Sequence, residues 1–266
     1  MFSAISGLRV HQVMLDVTAN SISNVNTVGY KSQRTSFKDA LSQMQRGASG
    51  ASTALGGTNP NQVGLGVQLG SIDSMMTAGA IQSTGNPFDL AVQGNGFFQV
   101  TDDPTGFSRT FYTRAGNFTR DAAGDLVTPE GYYVIGFTGA GAPTRITIPP
   151  TVDSASVGQN GDVTTVTGGV ATVVATIRLA RFANDAGLER VSGNRFVASS
   201  NSGAPTVDVP GVNGMGIVTA GAVEMSNVDL AQEFTNMITA QRGFQANSRV
   251  ISAADEMLQE LVNLKR

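Results

Sequence analysis

Apolar residues recur every seven positions near both ends of this chain and every two positions between them. Towards the C-terminus, Leu230, Met237, Phe244, Ile251 and Leu258 stand seven apart, and Ala240, Ala254 and Leu261 each follow a member of that series by three. Such a lattice predicts a coiled-coil seam along one helix face. Near the N-terminus, Ile5, Leu8, Leu15, Ala19 and Ile22 fall on the same lattice, with Gln12 as its one polar position. The first helix is expected over about residues 3 to 25, ending in Asn24-Val25-Asn26-Thr27-Val28-Gly29, where Asn and Gly stop helices and form turns. The last helix is expected to begin near Ser226-Asn227-Val228-Asp229, with Asp229 and Glu233 at its positive end and Lys265 and Arg266 at its negative end. At a rise of about 1.5 Å per residue this rod approaches 55 Å. A helix so long needs a partner, and the two seams are expected to pack on each other or on copies of themselves.

From about Gly70 the period changes to two. Asp89-Leu90-Ala91-Val92-Gln93, Gly94-Asn95-Gly96 and Phe97-Phe98-Gln99-Val100 read as strand, tight turn and strand. Comparable units cover Phe118 to Thr128, around Ala123-Gly124-Asp125, and Val157 to Val163, around Asn160-Gly161. Ala171 to Phe182 reads as a longer strand. Residues 46 to 66 are mostly Gly, Ala, Ser, Thr and Asn, and read as an extended connector. The expected fold class is α+β: paired N- and C-terminal coiled-coil helices, with an antiparallel all-β domain inserted between them. The expected divisions are a terminal helical domain over 1–30 and 227–266, a linking segment over 31–69 and a β-rich domain over 70–226.

Composition narrows the function classes. The 266 residues carry a net charge of -3, which offers no basic surface for nucleic acid or anionic lipid. Charged residues make up only 14%, against roughly 25% in an average globular protein, which suits a surface largely covered by neighbours. Cysteine is absent, so no disulfide, thiolate nucleophile or cysteine-ligated metal is possible. Arg9 and His11 interrupt the apolar N-terminus and no small-residue cleavage site follows, so a cleavable secretory signal is not expected. No apolar run reaches the roughly 20 residues that span a bilayer, and no membrane insertion is expected.

Candidate chemistry is sparse. Gly64-Leu65-Gly66-Val67-Gln68-Leu69-Gly70 has the wrong spacing for a phosphate loop. Asp121 and Asp125 lack the further oxygen ligands of a calcium loop, and adjacent Asp102 and Asp103 read as solvated turn residues. His11 has no second His or Cys to work with, so an interhelical contact is its expected role. No catalytic, metal or cofactor site is expected. The candidate functional residues are therefore apolar seam positions: Ile5, Leu8, Leu15, Ile22, Leu230, Met237, Phe244, Ile251, Leu258 and Leu261. A secreted enzyme or binding protein with oligomerising helical ends is the remote alternative.

Leu15-Asp16-Val17-Thr18-Ala19-Asn20-Ser21-Ile22-Ser23-Asn24-Val25-Asn26-Thr27-Val28-Gly29-Tyr30-Lys31 resembles the N-terminal signature of the bacterial flagellar rod and hook proteins, departing at Ser21 and Ser23. Asp89 to Phe98, Tyr112-Thr113-Arg114-Ala115-Gly116-Asn117-Phe118 and Glu224 to Arg242 resemble three further segments of that family, in the same order. The resemblance implies a non-enzymatic subunit of the flagellar axial tube, its terminal helices forming an inner coiled coil and its β domain an outer layer. It implies a helical tubular homopolymer that contacts neighbouring rod, hook and hook–filament junction proteins. It further implies export through the flagellar type III apparatus and a location in the hook and basal body. Within the family, Ser226 to Leu230, Ala240-Gln241-Arg242, Gln245-Ala246-Asn247 and Leu261 to Leu264 resemble hook proteins. Total length and the polar stretch at 46–66 point instead to the distal rod. Inner helices must fit their neighbours, whereas outer domains are dispensable, so local matches outweigh length. A compact hook protein is the expectation, with a distal-rod protein as the alternative.

Overall fold

A computed structural model describes residues 2–50, 56–139 and 141–264. The chain divides into two compact units, one formed by Met1–Ser23, Gln33–Ser74 and Asp229–Arg266, the other by Asn24–Ser32 and Met75–Val228. Together they give an α+β class of paired terminal helices and an antiparallel β domain, as the periodicities suggest.

In the first unit, helix α1 (Phe2–Ser23) packs against helix α2 (Leu230–Leu264). Asp229 caps α2, its Oδ1 accepting the Ala231 and Gln232 amides at 2.9 and 3.4 Å. The dipole role given to Lys265 and Arg266 lies outside the described residues. Gly7 lies against Asn247, and His11, four residues further along α1, lies against Gly243, so the helices run antiparallel. The segment 31–69, read from sequence as a linker, carries structure. Strand β1 (Gln33–Asp39) pairs antiparallel with β4 (Val67–Ser74), with a bulge between Ser36 and Phe37. Between them, β2 (Ser42–Arg46) and β3 (Asn61–Gly64) form a second antiparallel ribbon, extended by a Ser49–Thr58 bridge. Polarity is no bar to a ribbon, because paired strands satisfy each other's backbone groups whatever their side chains. Residues 51–55 of the expected connector lie outside the described ones. The ribbon β1–β4 covers one side of α1.

The second unit holds the large core. Among the described residues, an eleven-stranded antiparallel sheet runs Ser154–Val157, Asp162–Thr167, Val170–Ile177, Tyr133–Phe137, Phe98–Thr101, Thr110–Thr113, Arg195–Val197 and Glu189–Val191, with short strands attached at Tyr133–Phe137. The expected hairpins at Phe118 to Thr128 and Val157 to Val163 are present. The one expected at Gly94-Asn95-Gly96 is not a hairpin. Leu90–Gln93 pairs with Ile217–Ala220, while Phe98–Thr101 pairs with Thr110–Thr113 and Tyr133–Phe137. The glycine turn thus carries the chain from one sheet to another, which the sequence alone cannot distinguish from a hairpin. The stretch Ala171 to Phe182 is likewise broken at Arg178, and Leu179–Arg181 pairs elsewhere, with Thr206–Asp208. Side chains such as Leu90, Phe98, Phe118, Ile146, Ile177 and Leu179 are fully buried, and Phe97, Tyr112, Phe182 and Phe196 form an aromatic cluster beside them.

Candidate assembly surface

The sequence segments that carry the resemblance meet around one buried carboxylate. Glu224 is fully buried, and its Oε1 accepts bonds from Lys31 Nζ at 2.6 Å and from the Gly79 amide at 2.9 Å. Its Oε2 accepts Arg114 Nη1 at 3.2 Å, and its backbone oxygen accepts the Gly29 amide at 2.8 Å. Lys31 Nζ also donates to Thr77 O at 2.7 Å, and Arg114 Nη2 to Gly94 O at 2.8 Å, with its guanidinium over the Phe97 ring. Burial holds both Lys31 and Arg114 below their ordinary pKa values, and Glu224 opposes that shift in each. Gly29 reaches this cluster at φ +67, where a Cβ would run into the Ala115 backbone; only glycine fits both the angle and the space. The cluster is structural. Two cations on one carboxylate, all without solvent, tie three distant segments of the β unit together.

The acids weighed from sequence are structural too. Asp125 is buried and bonded to Arg145 at 3.3 Å and to Thr147, while Asp121 accepts the Asp125 amide at 2.7 Å. Asp102 pairs with Arg109 at 3.2 Å. Asp103 accepts bonds from Thr105, Gly106 and Ser108, which lower its pKa to about 2. A hollow of about 340 Å³ in the β unit is lined by Asn24, Thr27, Asn117, Thr128, Glu130, Asn194 and Arg195. It holds one carboxylate and no histidine or thiol, so no nucleophile–base pair assembles there. No cluster among the described residues could hold a metal ion, and no described helix is long and apolar enough to cross a membrane.

The helical unit has a different chemistry. The positions of α1 turned inward are Ala4, Gly7, His11, Met14, Thr18 and Ser21, a strict three-four alternation of mostly small residues. Those of α2 are Glu233, Asn236, Met237, Ala240, Gly243, Asn247, Ile251 and Ala254. A seam of Ala, Gly and Asn lets the helix axes approach closely, at the expense of apolar area. Burial pushes Glu233 above the usual carboxylate pKa. His11 takes the interhelical place expected of it, with its ring edge-on to Phe37 at 5.9 Å and its Nδ1 buried without a partner.

The large residues chosen from sequence mostly flank this seam. Leu8, Leu15, Ile22, Met237 and Ile251 are half-buried, while Ile5, Leu230, Phe244, Leu258 and Leu261 are exposed. They are joined by Phe234, Ile238, Val250, Met257, Val262 and Leu264, which sequence counting left aside. Among the described residues of this unit, Ala4, Val10 and Ala240 are the buried hydrophobics. So much exposed apolar surface on one unit is more than single scattered hydrophobics on a monomer usually leave open.

Comparison with known proteins decides the family. Residues 1–31 match the model described as flagella basal body rod protein, residues 91–165 the hook protein FlgE/F/G D1 domain, and residues 219–264 the basal body rod FlgEFG protein C-terminal model. The chain is 47% identical over its whole length to the flagellar basal-body rod protein FlgG of Bacillus subtilis strain 168, covering 98% of that protein. The chain belongs to the flagellar rod and hook protein family. It is also 39% identical to the FlgG rod protein of Caulobacter vibrioides, over 99% of this chain and 98% of that protein. The flagellar hook protein FlgE of Borreliella burgdorferi is more distant, 28% identical over an alignment of 441 residues that covers 100% of this chain and 99% of that protein. Membership places the chain in the bacterial flagellum as a structural subunit of the axial assembly. It also accounts for the exposed apolar face, since axial subunits are packed among neighbours.

Proposed function

We propose that this chain is the distal-rod subunit, a component of the drive shaft that carries torque outward through the basal body. The supporting observation is alignment length. Rod relatives match this chain end to end over 269 and 267 positions, whereas the hook relative needs 441, so it carries a long insertion that this chain lacks. The hook expectation rested on local C-terminal resemblances, and those segments lie in α2 or at its start, which must serve the same inner packing in rod and hook alike. It is therefore the weaker of the two readings.

The mechanism follows from the division of labour between the units. A β domain with a full core and a buried ionic cluster is a rigid body that stands without neighbours. The helical unit has a thin internal seam and an apolar exterior. Neighbouring subunits would cover the exterior, so binding free energy supplies the order that the free helices lack, and polymerisation proceeds where a template exists. Absence of cysteine suits a chain threaded unfolded through an export channel. The role is mechanical and the chain has no catalytic part in it. Deleting the gene and imaging the remaining basal structures tests the reading. A rod truncated short of the outer envelope, with no hook, is the expected result; a complete rod that lacks only the hook would refute it.

A further inference from the structure

Two open surfaces of the helical unit match each other in length, polarity and charge. The first is a groove of about 540 Å³ between α1 and β4, lined by Phe2, Ile5, Arg9, Val10, Val67 and Leu69. The second is the end of α2. Because Gly7 faces Asn247 and His11 faces Gly243, α1 runs out near Ala254, and residues from Asp255 to Leu264 project beyond it. Met257, Leu258, Leu261, Val262 and Leu264 are all exposed on this projection, Leu264 at 83%. At about 1.5 Å per residue, the projecting segment is roughly 15 Å long and the α1 wall of the groove roughly 12 Å. The groove carries a cation, Arg9, and the projection carries Asp255, Glu256 and Glu260. Among the described residues, none of these four makes an ion pair.

We infer that the projecting end of α2 from one copy lies in the α1–β4 groove of a neighbouring copy. This rests on the reading of the chain as a polymer subunit and names the surfaces that join. Within one copy the projection leads away from α1, so it cannot fill its own groove. A neighbour displaced by roughly 17 Å along the helix axis, and sideways from the α2 face of α1 to its β4 face, brings the two together with the antiparallel sense preserved. Ile5 then faces the region of Leu261, Phe2 that of Leu264, and Arg9 that of Glu256. The contact is heterologous: each copy offers a projection to one neighbour and a groove to another, which is the geometry that builds open filaments rather than closed dimers.

The absence of cysteine makes the test clean. Cells carrying Ile5→Cys with Leu261→Cys are oxidised, and their basal bodies are isolated and run without reductant. A ladder of dimers, trimers and longer species is expected, and should vanish when either cysteine is present alone. Phe2→Cys with Leu264→Cys, at the most exposed positions of the two surfaces, should give the same ladder. Both pairs are expressed alongside the unaltered chain, so that assembly does not depend on the variant. Arg9→Glu added to either pair should cut the ladder at least fivefold, and Glu256→Lys with Glu260→Lys should restore it. Incorporated double-cysteine chains that give no ladder with either pair would overturn the inference and leave the rod assignment untouched. A ladder from single-cysteine chains would overturn it as well. Failure of the rod assignment would show elsewhere, as a complete rod in the deletion strain.

Discussion

Replacing Glu224 by alanine should unfold the β unit at markedly lower temperature, and the size of the effect follows from what the carboxylate holds. It binds Lys31 Nζ at 2.6 Å, the Gly79 amide at 2.9 Å and Arg114 Nη1 at 3.2 Å, with all three side chains essentially inaccessible to solvent. Glu224→Ala leaves two buried cations facing a void with no counter-charge. Removing one partner from a buried ion pair costs about 3–5 kcal/mol. In a domain of this size each kcal/mol moves the midpoint by about 2–4 °C, so a fall on the order of 10 °C is expected. Lysine can partly escape by losing its proton. Its pKa already lies below 10.5 through burial, and Glu224 is the group that opposes that shift. Without the carboxylate the folded-state pKa falls further while the unfolded value stays put, so the unfolded chain binds more protons between the two. The variant's deficit is therefore greatest near neutral pH and shrinks as pH rises towards 10.5. Tyrosine fluorescence is a convenient probe, because the chain has no Trp and all four tyrosines, Tyr30, Tyr112, Tyr132 and Tyr133, belong to the β unit. A loss under about 1 kcal/mol at pH 7 would refute the reasoning, and so would a deficit that widens with pH.

Phe244→Asp and Leu258→Asp lie on the exposed face of α2, so each should abolish swimming and basal-body incorporation while leaving the tyrosine-monitored transition within about 2 °C of the unaltered chain; normal swimming in both would show that this face is not buried in the assembly. Gly243→Leu would drive a side chain into His11 within the close-packed seam, so α1 amides should lose protection from hydrogen exchange in the free chain while the β unit keeps its own. Asp103 should titrate with a midpoint of about 2 rather than 3.8, read from its carboxyl carbon shift. The support it gives the Thr105–Ser108 turn should be present above pH 4 and lost as pH falls through its folded value.

Both helices, their packing on each other and the β character of the middle were legible because periodicity survives folding; the antiparallel sense was not. What was missed has physical reasons. Heptad counting rewards size, and so selected Leu8, Leu15, Phe244 and Leu258, whereas small residues one step around the helix, Gly7 and Gly243, are among those that meet, beside Ala240, which the lattice did include. A pattern of small residues at three-four spacing looks neutral on a hydropathy scale, although close axial approach demands it. The β1–β4 and β2–β3 ribbons were missed because their strands are mostly Gln, Ser, Asp and basic residues with isolated apolar positions, which carry little strand signal and pair here through backbone groups. The ionic cluster was invisible for another reason. Lys31 and Glu224 lie 193 residues apart, and nothing local marks either as buried. The signal that could have found them was their placement: each is a charged residue at the edge of a segment already singled out by resemblance, and a charge in such a place is often there to be paired.

The arrangement of small residues inside and large ones outside inverts the usual amphipathic helix, and it suits a subunit that must stay soluble yet polymerise. At about 25 cal/mol per Å² of apolar surface removed from water, the seam draws its return mainly from Met14, Met237 and Ile251 and little from its Ala, Gly, Thr and Asn, so α1 and α2 are expected to be weakly held in a free chain. Leu, Phe and Ile at the flanks carry the larger apolar area, which neighbours would cover on the proposed reading. Had the large residues faced inward, the helix pair would be complete in itself and would offer neighbours mainly polar surface. The β unit makes the opposite choice. It buries its aromatic and aliphatic residues internally and locks three remote segments around Glu224. On the proposed reading, strength that depends on neighbours is confined to the helical ends, and a copy that has not joined the assembly would keep a folded body with unsatisfied termini.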